Sequence, residues 1–104
     1  MTDNVNDLSI EYEENGVITV KQLDKIILSK GAWSTVLFRY QDWENAKQAY
    51  SADRYSIRRY QKRNGSYQQK SKFNISSKDQ ALKLIAGLQQ WLAESPETDP
   101  SAEG

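Results

Sequence analysis

The sequence predicts an α+β fold, a four-stranded antiparallel sheet followed by one C-terminal helix, on three observations. Segments rich in β-branched and aromatic residues recur between residues 17 and 75. Asn64 and Gly65 stand between two of them as a hairpin signal. From Ser77 onward the apolar residues take a helical period instead. With 104 residues the chain supports one small domain and a modest core.

The first strand is residues 17–28, VITVKQLDKIIL, which begin with β-branched alternation and end in an apolar run. An irregularity is expected near Gln22 to Asp24, and a helix over residues 22–30 is the competing reading. Lys30 and Gly31 make a turn. Residues 33–43, WSTVLFRYQDW, form a long second strand that is apolar on both faces at Leu37 and Phe38, which gives it a central position. Residues 44–53 are a loop or a helical turn. Residues 54–63 and 67–75 are the two strands of the hairpin.

In the helix, Ala81, Leu84, Ile85, Leu88, Trp91 and Leu92 share one stripe, while Lys78, Lys83, Gln89 and Gln90 lie off it. Ser76 or Ser77 caps its first turn, with Asp79 or Gln80 completing a capping box, and Ser95 and Pro96 end it. Residues 1–15 and 95–104 read as acidic, disordered tails on either side of a domain spanning residues 16–94.

The hairpin register decides what its faces carry. A strict two-residue loop pairs Ile57 with Lys72 and so splits the apolar residues between faces. A one-residue slip gathers Tyr55 and Ile57 with Phe73 and Ile75, which requires a three-residue loop or a bulge. In that register Arg58, Tyr60, Lys62, Gln68, Lys70, Lys72 and Asn74 stand together on the opposite face, and Phe38 and Tyr40 of the second strand can extend it.

The formal net charge of zero conceals a partition. Residues 1–15 and 94–104 hold nine carboxylates and no cation, so all fourteen Lys and Arg residues lie between them against five carboxylates, a formal +9. Residues 55–78 alone carry seven cations and no carboxylate. A cationic domain attracts polyanions, and a cationic sheet face bearing rings suits single strands, whose phosphates take the charges while unpaired bases stack.

Cysteine and histidine are both absent. That removes thiolate and imidazole chemistry, and the folded region shows no carboxylate pair, glycine-rich phosphate loop or metal-ligand spacing. A non-enzymatic protein without metal or cofactor, acting on no small-molecule substrate, is expected. The N-terminus lacks the basic and apolar regions of a signal peptide and no apolar run reaches the length of a membrane span, so a cytoplasmic location is expected.

Ile57, Arg58, Arg59 and Tyr60, then Gly65, Lys70 and Lys72, then Ile75 and Ser76, with Gln80 opening the helix, resemble the single-stranded DNA-binding domain of the transcriptional coactivator positive cofactor four. The resemblance covers about residues 55–88, and the Whirly proteins share its architecture of four antiparallel strands followed by a helix. Ser77 and Ala81 depart from the family, which usually has an apolar residue and a Trp there. The purine-rich-element-binding repeat is similar in element order. The resemblance implies phosphate contacts at Arg58, Lys70 and Lys72, stacking at Tyr60, and dimers formed through the helices.

The expected nucleic-acid contacts are therefore Arg58, Tyr60, Lys62, Lys70, Lys72 and Tyr40, with single-stranded DNA or RNA as the partner. Gly87, inside the helix beside Leu84, Leu88 and Trp91, suggests the close approach of a second copy, and these four residues are the expected homodimer contact. The competing expectation is a protein-interaction module that offers the same basic and aromatic surface to an acidic partner.

Overall fold

The computed structural model describes residues 4–94. It is an α+β structure, a curled antiparallel sheet with one C-terminal helix. The elements are a 3-10 turn at Val5–Asp7, then β1 (Tyr12–Glu14), β2 (Val17–Ser29), β3 (Trp33–Glu44), β4 (Ala49–Tyr50), β5 (Arg54–Arg63), β6 (Ser66–Ile75) and α1 (Lys78–Glu94). The strand order is β1-β2-β3-β5-β6, with β4 paired to the end of β3.

The four expected strands correspond to β2, β3, β5 and β6, and the sheet exceeds the expectation by two short strands. Residues 44–53 turn through Gln48 at φ 51° and then add β4, whose Tyr50 ring meets Trp43 edge-on at 5.1 Å. That aromatic cross-strand pair is what a loop reading misses. In β2 the strand reading holds over the helical one, and the irregularity falls where it was expected, between Gln22 and Asp24.

The hairpin combines both registers. From Tyr55↔Ile75 through Arg59↔Ser71 the apolar residues are matched, whereas from Tyr60↔Gln69 to Arg63↔Ser66 the pairing is that of a tight two-residue turn. Asn64 at φ 53° and Gly65 at φ 82° take the left-handed conformations this turn needs. The difference is absorbed by a bulge that leaves Lys70 without a partner. Beyond the bulge Tyr67 and Gln69, rather than Gln68, share a face with Arg58, Tyr60 and Lys62.

One face of β3, formed by Ser34, Val36, Phe38 and Tyr40, is buried. The cover comes from the N-terminus. Val5 and Leu8 pack against Val36, Phe38 and Tyr60, flanked by Ile10, Ile27 and Tyr67. Residues 4–14 are thus ordered against the sheet, which corrects the expected disordered tail from residue 4 onward. The five carboxylates among residues 1–15 obscured the apolar Val5, Leu8 and Ile10. The expected tail at residues 95–104 lies outside the described residues.

The other face of the sheet meets the helix. Ser77 Oγ caps the helix by accepting a hydrogen bond from Gln80 N at 3.0 Å, as expected, while Gln80 Oε1 reaches back one residue further than a capping box requires and accepts from Ser76 N at 2.6 Å. The helix stands off the sheet. A groove of about 480 Å³ separates Leu84, Ile85 and Leu88 from Leu37, Ile57 and Ile75, and no described helix residue is buried. None of the described helices is long and apolar enough to cross a membrane.

Candidate nucleic-acid interface

The basic end of the sheet is assembled where the β5–β6 hairpin lies against the β2–β3 turn. Lys62 N donates to Ala32 O at 2.7 Å, Tyr67 Oη donates to Gly31 O at 2.9 Å, and Trp33 pairs with Gln61. These bonds bring Lys30, Trp33, Arg59, Lys62, Arg63 and Tyr67 to one end of the sheet from three strands and a turn, with Trp33, Arg59 and Arg63 on the face toward the helix and Lys62 and Tyr67 on the opposite face. The Arg59 guanidinium lies 4.6 Å from the centroid of the Trp33 ring, and the Lys62 ammonium lies 5.6 Å from that of Tyr67. Trp33 keeps 41% of its surface exposed and Tyr67 is half-buried, so both rings are accessible beside cations.

Ion pairing separates this end from the other. Arg54 meets Asp42 at 3.3 Å and Glu44 at 3.8 Å, Arg39 meets Asp53 at 3.8 Å, and Lys47 meets Glu44 at 3.6 Å. All of these lie where β3, β4 and the start of β5 converge, close to the carboxylates Glu13 and Glu14 of β1. Among the described residues, no carboxylate stands within 4.0 Å of Lys30, Arg58, Lys62, Arg63, Lys70 or Lys72. The sheet is acidic and self-neutralised at one end and cationic at the other. Surface pairs of this kind add little stability, about 0–1 kcal/mol each, so their main effect is on the distribution of charge.

Arg58 is held by neutral groups. Its Nε donates to Ser56 Oγ at 3.2 Å and its Nη1 donates to Gln69 Oε1 at 3.1 Å, while Ser56 Oγ donates to Asn74 Oδ1 at 2.7 Å. The guanidinium is oriented and no carboxylate among the described residues pairs with it, an arrangement suited to a phosphate oxygen.

The structure divides the expected site residues. Lys62, Lys70 and Lys72 are exposed and Arg58 is half-buried, all on the hairpin. Tyr60 and Tyr40, expected as stacking platforms, are 6% and 8% exposed. Tyr60 lies beneath Val5 and Leu8, so neither ring is open to a base in this arrangement. Sequence reasoning missed Trp33, Tyr67, Arg63 and Lys30. The Lys30-Gly31 turn was a signal for Trp33, but Tyr67 joins the face of Arg58 and Lys62 only because of the bulge at Lys70, which the residues alone do not locate.

At the expected dimer surface, Leu84, Leu88 and Trp91 are 37%, 48% and 67% exposed. Among the described residues nothing lies within 4 Å of where a Cβ on Gly87 would point, so none of them explains that glycine.

No protein-family model, curated protein or solved structure matches the chain. The resemblance to positive cofactor four therefore stays an expectation, and the case for this interface is its geometry.

Burial raises the Tyr60 phenol above its ordinary value of 10.0, with the Arg58 charge acting in the opposite direction. Folding favours the neutral phenol, so its contribution to stability is fully present below pH 10.0 and is lost as pH rises through the raised folded value. An alkaline absorbance titration of the protein and of Tyr60→Phe should differ by one phenolate transition lying above that of an exposed tyrosine. A missing transition at or below the ordinary value would show that the ring is not covered.

Proposed function

We propose that this protein is a non-enzymatic, single-strand-preferring nucleic-acid-binding protein that holds the sugar-phosphate backbone along the β5–β6 hairpin and acts as a homodimer. The observation that carries the reading is the set of six cations at the hairpin end of the sheet, Lys30, Arg58, Lys62, Arg63, Lys70 and Lys72, none of which has a carboxylate partner among the described residues, with the Tyr67 ring on the face of Arg58 and Lys62 and the Trp33 ring on the opposite face with Arg63. Phosphates neutralise the cations and release counterions, while unpaired bases stack on the rings at about 1–3 kcal/mol each. Duplex DNA keeps its bases stacked on one another and cannot use the rings, which is the source of the preference.

The homodimer is supported by the unpartnered stripe of α1. Leu84, Leu88, Trp91 and Leu92 present apolar surface next to a half-open groove, and Gly87 leaves room for a second helix to approach. An apolar helix face that its own sheet leaves uncovered is stabilised by self-association.

Fluorescence anisotropy with a labelled oligothymidylate across a salt series tests the binding. Affinity should fall with salt, and the Lys70→Glu, Lys72→Glu double variant should lose at least roughly tenfold in affinity and about 1.4 units of log-log salt slope, at 0.7 per phosphate contact. Its circular dichroism should be unchanged. An undetectable response at low salt, or nuclease-resistant capture of an acidic protein in its place, would favour the protein-interaction reading. Sedimentation velocity tests the dimer: the chain should sediment at twice its mass and Leu88→Glu at once, and a monomeric parent protein rejects it.

A further inference from the structure

The cover over the sheet's buried face is an unusual one. It comprises residues 4–11, a single turn of 3-10 helix and an extended segment, instead of a second helix or sheet. Three apolar side chains anchor it: Val5 and Leu8, buried against Phe38 and Val36, and Ile10 beside them. Its polar anchors are to Gln22 and Lys25 of β2. Lys25 Nζ donates to Asn6 O at 2.6 Å and to Leu8 O at 2.7 Å. Gln22 Oε1 accepts from Ile10 N at 3.0 Å and from Ser9 Oγ at 3.0 Å, and Gln22 N donates to Glu11 Oε1 at 3.3 Å. No strand ladder holds residues 4–11, because β1 begins only at Tyr12.

What the segment covers matters for the reading just given. Beneath it lie Tyr60 and the Lys25 ammonium, and Tyr60 shares its face with Arg58, Lys62 and Lys72 of the candidate interface. The segment carries Asp7 and Glu11 and no cation. It is thus an anionic chain, held by side-chain contacts and not by a strand ladder, seated on an aromatic and cationic face and occupying the kind of surface a single strand would use.

We propose that residues 4–11 are a displaceable strap that excludes nucleic acid from the Lys25, Phe38 and Tyr60 face, so that strand and strap compete for it. This rests on the nucleic-acid reading above. Closed, the protein offers only the hairpin end. With the strap released, the Lys25 ammonium loses its two carbonyl partners and becomes available to phosphate, and Tyr60 becomes available to a base. Such coupling is reciprocal: whatever loosens the strap tightens binding, and binding loosens the strap.

Two measurements on the full chain test the strap. Leu8→Ser removes a buried anchor without changing the charge. If the open state is populated at about 1–10%, freeing the face should tighten oligothymidylate binding by roughly 10- to 100-fold. In the unaltered protein, amide hydrogen exchange at Asp7 and Leu8, whose N–H groups are bonded to Asn4 O and Val5 O, should accelerate when the oligonucleotide is added. Binding by both proteins with equal affinity and unchanged exchange at residues 5–10 would overturn the strap and leave the hairpin interface standing. Binding by neither protein would overturn the nucleic-acid reading and the strap with it. Should Leu8→Ser fail to fold, the exchange experiment on the unaltered chain decides alone.

Discussion

The structure depends on one constraint: a single helix cannot cover both faces of a twisted sheet. The central strand β3 is apolar on both sides, with Val36 and Phe38 on one and Leu37 on the other. Leaving Phe38 in water would forfeit roughly 1.5–3 kcal/mol of burial. The helix lies over the Leu37 side, and the Phe38 side takes its cover from Val5 and Leu8 of the N-terminal segment. From this follow the burial of Tyr60 and the satisfaction of Lys25 by backbone carbonyls.

Charge then follows the strand pairing. β1 returns against the start of β2, and that start pairs with the end of β3, so Glu13, Glu14, Asp42 and Glu44 gather at one end, where Arg54 pairs with Asp42 and Glu44. The hairpin tip and the β2–β3 turn form the opposite end, where residues 55–78 supply cations and no carboxylate. A polyanion meeting this field is drawn to one end of the molecule, and the bulge at Lys70 adds a cation that is not committed to the strand ladder.

Much of the fold was legible because local and long-range signals agreed. The matched apolar residues Tyr55, Ile57, Phe73 and Ile75 demanded a register that a tight Asn64-Gly65 turn could not give, so a bulge or a longer loop followed from the residues themselves. The position of that bulge did not, since any residue between Phe73 and the turn could absorb the slip. The placement of Tyr67 and Gln69 on the basic face was lost for the same reason. The cover was lost for a different one: Val5, Leu8 and Ile10 are three apolar residues among carboxylates, without a period that marks an element, and their burial is a property of the sheet they meet. The helix stripe was read directly, and the uncovered state of Trp91 and Leu92 agrees with the shortage of sheet beneath them.

The central claim is that nucleic acid binds the cationic end and not the self-neutralised end. Titrating isotope-labelled protein with an unlabelled oligothymidylate and following backbone amide resonances tests this most directly. Signals from residues 30–33 and 61–72 should shift with the added strand while those of residues 42–53 stay in place. Shifts concentrated at residues 42–53, or none at all at low salt, would contradict it.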